Sequence, residues 1–249
     1  MLKSKIIEGK TVLGTWCEIP SPTVINVIAK AELDFVIIDM EHGPMDFKTT
    51  QEMVMAAESD GCEALIRVPM NEASYIQRAL DTGSSGIIVP HIENVEDCKK
   101  VVSFSKFAPT GNRGFNPYIR AGAYNAGNTS FCDDQNRKTL VGIILEGING
   151  LNDIEEIISD PAIDIVYIGT YDLSVALGVP GEVANEKVVT ALINAVSKIR
   201  ALKKCAGCMI HNVDELAWAK EHGINFITYK VDSAIVYDSF SAMRKELER

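Results

Sequence analysis

The chain has 249 residues, 47% hydrophobic and 23% charged, with 18 Gly and 9 Pro. This composition excludes disordered and fibrous proteins, and the length suits one barrel of alternating strands and helices, which needs about 250 residues. With 24 Lys and Arg against 34 Asp and Glu the net charge is −10, which argues against nucleic acid and anionic membrane surfaces as partners.

The opening MLKSKIIEGK is basic but runs into neither the apolar stretch nor the small-residue cleavage site of a secretory signal. No later run of about 20 apolar residues is present to span a bilayer, so a cytoplasmic protein is expected. Along the rest of the chain short Val- and Ile-rich runs alternate with longer segments of helical period, with no low-complexity linker between them. That is the pattern of a parallel β/α protein. Residues 12–18, 35–40, 64–68, 86–90, 140–146, 163–169, 206–210 and 226–230 are the eight expected strands. Eight such runs predict a single-domain (β/α)8 TIM barrel over residues 1–249.

Between the first two strands, Ser21 followed by Pro22 predicts a helix start: a side-chain acceptor, then a residue with no amide to satisfy. Residues 109–137 escape the alternation. They are polar, glycine-rich and long, and a segment of this kind in a compact domain is expected to form a lid, a binding loop or an interface. From 185 to 200, Val188, Val189, Leu192, Ile193, Val196 and Ile199 share one helical face and predict a core-packing stripe. Asn212 with Glu215 forms a capping-box-like start, and Gly223 is placed to end that helix. The six cysteines are scattered, as expected of reduced thiols in the cytoplasm. Cys205 and Cys208 form a CxxC, but no second pair completes a zinc site; they are expected inside a buried strand, with a redox or metal role as the alternative.

In a parallel barrel, side chains that reach a substrate come from the carboxyl ends of the strands. There the sequence places Asp39, Glu41 and His42 in IIDMEHG, Arg67 in LIRVP, Glu146 in IILEG and Asp172 in IGTYDLS. Taken singly, a His is more often a hydrogen-bonded structural residue, and an Asp after a strand is often a turn or cap residue. Together they suggest chemistry. Glu146 and Asp172 offer hard oxygen ligands suited to Mg2+ or Mn2+. Arg67 supplies a fixed fork of donors for an oxyanion, and His42 is suited to proton exchange near neutral pH. A metal and an arginine that stabilise the enolate of a 2-oxo acid support aldol chemistry. No G-x-S-x-G elbow, P-loop or G-x-G-x-x-G after a first strand is present for other reaction classes.

At these residues the sequence resembles the metal-dependent aldolases of the HpcH/HpaI family, from about Gly14 to Asp232. The resemblance rests on GTW at Gly14, IIDMEHGP at Ile37, LIRVP at Leu65, ALDTGSSGIIVPHI at Ala79, GNRG with the later RAGAY, the Glu146 strand, YIGTYDLSVALG at Tyr167 and VDS at Val231. It implies a class II aldolase that cleaves or forms a 4-hydroxy-2-oxo acid, with pyruvate and an aldehyde as partners and a divalent metal, Mg2+ or Mn2+, as cofactor. By the same resemblance Glu146 and Asp172 hold the metal, and Asp39 and Glu41 organise the water around it. His42 is the acid/base, oriented by Asp81, and Arg67 contacts the substrate keto group. Backbone amides of Gly169, Thr170, Tyr171 and Asp172 hold the substrate carboxylate, with Trp16 beside them. The family forms hexamers of dimers that exchange C-terminal helices, which gives residues 232–248 an interface role.

Four positions depart from the family pattern: Ile144 stands for a usual Gln, Thr170-Tyr171 for Pro-Ala, and Lys230 for a small residue. Lys230 is weighed as a Schiff-base lysine against an exposed charge or salt-bridge partner beside Asp232, and the intact carboxylate pair favours the metal route and the second reading. Two alternatives stay open: a related lyase acting on an acyl-CoA or a phosphorylated acid, and a non-catalytic ligand-binding homologue.

Overall fold

The eight apolar runs become eight parallel strands that hydrogen-bond in chain order and close on one another, β1 pairing with both β2 and β8. In the computed structural model, which describes residues 1–248, the chain runs α1 (Leu2–Ile7), β1 (Val12–Cys17), α2 (Pro22–Lys30), β2 (Phe35–Asp39), α3 (Phe47–Glu58), β3 (Glu63–Arg67), α4 (Ala73–Asp81), β4 (Gly86–Val89) and α5 (Val95–Ser105). A 3-10 turn (Arg120–Gly122) and α6 (Phe131–Lys138) precede β5 (Leu140–Leu145), α7 (Ile148–Asn152), α8 (Ile154–Ile157), β6 (Ile165–Ile168) and α9 (Thr170–Ala176). The chain ends with α10 (Glu186–Ala201), β7 (Cys205–Ile210), α11 (Asp214–Glu221), β8 (Phe226–Val231) and α12 (Asp232–Leu247).

Side chains alternate along each strand and divide the core in two. Phe35, Ile37, Leu65, Ile88, Leu140, Ile165 and Phe226 fill the barrel interior, where the rings of Phe35 and Phe226 stack at 4.1 Å. Val36, Ile38, Ile66, Ile87, Val141, Ile143 and Val166 face outward under the helices. Burial on both faces is why the strands read as continuous apolar runs rather than as alternation. The six-residue α1 closes the floor. Leu2 and Ile6 enter the interior cluster, while Lys3 reaches Asp164 and the Thr139 carbonyl beside the strand starts. The basic opening segment is therefore a plug, which six residues of sequence are too short to signal by period.

The cap signals act as their chemistry requires. Ser21 accepts from the Val24 amide, Asn212 accepts from the Glu215 amide while donating to its carboxylate, and Gly223 takes φ +85° after α11. On α10, Val188, Leu192, Val196 and Ile199 are buried, whereas Val189 and Ile193 are half-buried at the edge of the stripe. Cys205 and Cys208 both lie in β7, three residues apart and so on opposite faces, one inside the barrel and one outside. Burial pushes each thiol up to about 12. Neither a shared metal nor a reactive thiolate fits this arrangement.

Residues 109–137 are not a lid over their own chain's active face. They lie between α5 and β5, a connection that returns to the amino-terminal ends of the strands. The segment is also ordered. Arg113 pairs with Asp81 at 2.8 Å, Arg120 donates to the Thr82 carbonyl, and Phe115 and Phe131 pack with Phe107.

Candidate active site

A cavity of 580 Å3 opens at the carboxyl ends of the strands. β1–β6 each leave the ladder one residue before the end of the apolar run, so Glu18, Met40, Val68, Pro90, Glu146 and Gly169 lie just beyond it. The cavity collects Trp16, Asp39, His42, Arg67, Glu146, Gly169, Thr170, Tyr171 and Asp172. Every residue singled out from the sequence reaches this wall except Glu41, which sits one contact away on Arg67, and Asp81.

Arg67 is the most constrained of these groups. Its Nε donates to Asp39 Oδ1 at 2.8 Å, its Nη2 donates to Asp39 Oδ2, and its guanidinium lies 4.6 Å from the centre of the Trp16 ring. Trp16 is held in turn by bonds from Nε1 to Tyr167 Oη (3.0 Å) and Thr228 Oγ1 (3.1 Å). Burial works against the Arg67 charge, but the hydrogen bond and charge of Asp39, with Glu41 and Glu146, raise its pKa above the ordinary arginine value. The guanidinium is a permanent cation facing the cavity.

Asp39, fully buried, also accepts the amides of Glu41 (3.0 Å) and His42 (3.3 Å). It thereby folds the IIDMEHG turn that carries His42 to the cavity. Glu41 Oε2 is buried and forms an ion pair with Arg67 Nη1 at 2.9 Å.

Glu146 is 7% exposed. Burial raises its pKa above the usual glutamate value; the charges of Asp172 and Glu41 push the same way, while the His91 amide and charge oppose the rise. Asp172 stands in the first turn of α9, the helix that Gly169 introduces. A side chain on Gly169 would meet Glu146 Oε2 at 2.8 Å, so glycine is what lets the two carboxylate-bearing segments approach. Leu173 is the first α9 residue to donate within the helix, to Gly169, leaving the amides of Thr170, Tyr171 and Asp172 without helical acceptors at the cavity wall.

Asp81 lies away from this cavity within one chain. It ends α4, which runs from the active face to the opposite end of the barrel, and its carboxylate is engaged by Arg113. Within one chain it cannot orient His42. Lys230 is a salt-bridge lysine: it pairs with Asp238 at 2.6 Å, while the neighbouring Asp232 accepts the amides of Glu18 and Ile19 and ties β8 to β1. The hydrogen bond to Asp238 raises the Lys230 pKa, the opposite of what a Schiff-base lysine needs. Ile144 is buried in the cavity floor and makes it apolar.

Two further histidines belong to the site. His91, two residues past β4, contacts both Glu41 and Glu146, and His211, just past β7, faces Tyr171 Oη at 3.3 Å. The strand-end criterion that identifies His42 and Glu146 points to both of them equally.

The HpcH/HpaI aldolase/citrate lyase family model matches residues 13–237. A hydroxypyruvate/pyruvate aldolase of Rhizorhabdus wittichii is 31% identical, covering 92% of this chain and 91% of its own. A 4-hydroxy-2-oxovalerate aldolase of Rhodococcus jostii is 29% identical over 97% of this chain and 93% of its own. The crystal structure of an HpcH/HpaI aldolase from Desulfitobacterium hafniense superposes with a TM-score of 0.94 at 25% identity, covering 100% of this chain and 97% of that one. The barrel, the strand-end constellation and these likenesses agree that the chain belongs to the HpcH/HpaI aldolase/citrate lyase family and is a carbon–carbon lyase of the aldolase type.

Proposed function

We propose that the enzyme joins or releases pyruvate and an aldehyde through a 4-hydroxy-2-oxo acid, with a divalent cation at Glu146 and Asp172. The observation that carries this reading is the meeting of a buried glutamate and an aspartate across Gly169, in the cavity that also holds the locked Arg67. The donors fit such an ion. Two hard carboxylates that repel each other gain by sharing a cation, and Mg2+ and Mn2+ accept one or two protein carboxylates, the rest of their shell being water or substrate. A bound cation there supplies Lewis-acid polarisation of a 2-oxo acid.

The chain's own residues complete the chemistry. The free amides of Thr170, Tyr171 and Asp172 receive the substrate carboxylate. Arg67, fixed by Asp39 and Trp16, holds a positive fork against the keto oxygen, where negative charge grows as the enolate forms. His42, exposed at the mouth, moves the proton between the substrate and solvent. Ile144 and Trp16 keep the floor apolar and strengthen these charges. Exchange of pyruvate's methyl protons in D2O, followed by NMR, tests the reading. Exchange is expected to stop with EDTA and return with Mn2+ or Mg2+; exchange that continues unchanged after chelation would refute the metal.

The pH dependence has a defined sign. Proton and cation compete for Glu146, and its pKa lies above the ordinary 4.5, so the competing proton arrives at a higher pH than for a normal glutamate. Mn2+ affinity, measured by calorimetry from pH 7.5 downward, should weaken before pH 4.5 is reached. Affinity that stays level to that point would contradict the assignment.

The enzyme is further proposed to be a homo-oligomer. On α12, Tyr237, Phe240, Met243 and Leu247 form one exposed apolar stripe, each more than 70% exposed, which is more than an isolated surface helix normally shows to water. Phe240→Asp is expected to lower the mass found by light scattering. An unchanged mass would remove α12 from the interface.

A further inference from the structure

His91 makes three contacts around the proposed cation site. Its backbone amide donates to Glu146 Oε1 at 2.9 Å, its Nδ1 lies 2.8 Å from the same oxygen, and its Nε2 lies 2.7 Å from Glu41 Oε1. The side chain is 63% exposed, so nothing in the packing confines the ring to this orientation. Its backbone sits at φ +57°, a left-handed conformation that a residue with a side chain rarely adopts. An exposed ring held on two acids by an uncommon backbone is a built arrangement.

Its geometric effect falls on the carboxylate of Glu146. Oε1 is engaged by both the His91 amide and the His91 ring, while Oε2 faces Gly169 and the turn leading to Asp172. The contacts therefore set which oxygen is presented to a cation. The second ring nitrogen extends the link: Glu41 joins His91 to Arg67, and Arg67 is clamped on Asp39. One connected path fixes the glutamate on β5's end relative to the guanidinium on β3, the two groups that must act on one substrate.

We propose that His91 is a positioning residue. It turns Glu146 Oε2 toward the cation site and, through Glu41, holds that site in register with Arg67. The inference rests on the metal reading above. Groups that orient a carboxylate ligand without touching the metal typically change affinity by about 10–100-fold.

The test uses Mn2+ as the probe on the full chain. In His91→Ala the Mn2+ Kd from calorimetry should rise by about 10–100-fold, with the melting temperature of the metal-free protein little changed. His91→Asn, which tolerates the left-handed backbone and keeps a polar side chain, should recover part of the affinity. Glu41→Gln should weaken Mn2+ in the same direction although it lies outside the ligand pair, and it serves as the second variant if His91→Ala does not fold. Electron spin echo spectra of wild-type Mn2+ protein should show no directly bound histidine nitrogen. A folded His91→Ala with wild-type Kd, or a direct nitrogen coupling lost in that variant, would overturn the positioning role. Wild-type protein that binds no Mn2+ at all would instead remove the metal reading, and this inference with it.

Discussion

Glu146→Gln is expected to lower metal-dependent exchange of pyruvate protons by at least about 10²-fold, the scale on which removing one preorganised charge-stabilising group acts, while leaving the barrel intact. The substitution preserves the shape of the side chain and an acceptor for the His91 amide. What it removes is one of the two negative charges that hold the cation. The stability effect should go the other way. Glu146 is buried, and Asp172 and Glu41 both oppose its ionisation. Its raised pKa means that the metal-free folded state holds the proton more tightly than the unfolded chain does, so stability falls as pH rises through the carboxyl range. A neutral glutamine escapes that loss. The metal-free variant should therefore melt at or above the wild-type temperature at pH 7.5, and added Mn2+ should stabilise only the wild type. A variant with full activity and a normal Mn2+ response would show that Glu146 is not the ligand.

The same balance explains what was legible in the sequence. The strands could be read because each is buried on both faces, which yields unbroken Val and Ile runs, and the barrel rule then turns run ends into a site. Arg67, Glu146 and Asp172 follow from that rule. His91 obeys it too, yet an exposed histidine in a left-handed turn gives no apolar or capping signal of its own, and only the contacts with Glu41 and Glu146 reveal its place. Asp81 shows the reverse case: its motif suggests the active face, whereas it closes α4 at the far end of the barrel, bound to Arg113. The segment holding Arg113 carries little periodic signal for a related reason. Its helix α6 buries only Phe131, too little to impose a helical period. The plug α1 is too short to do so.

Arg67 offers the sharpest separation between chemistry and structure. Arg67→Lys keeps a positive charge but replaces a planar fork with a single ammonium, which cannot meet both oxygens of Asp39 and the substrate keto oxygen in one geometry. Turnover is expected to fall by about 10²–10³-fold, corresponding to about 3–4 kcal/mol of lost transition-state stabilisation. Arg67→Ala should lose at least as much activity and also destabilise the fold, since it leaves the fully buried Asp39 uncompensated; breaking such a pair costs about 3–5 kcal/mol. Adding Asp39→Asn to Arg67→Ala removes the stranded charge. Urea denaturation should then show much of the stability restored, while the exchange assay stays low, because the oxyanion still lacks its cation. If the double variant regained activity along with stability, Arg67 would be a structural partner of Asp39, and charge stabilisation at the keto oxygen would have to come from elsewhere in the cavity.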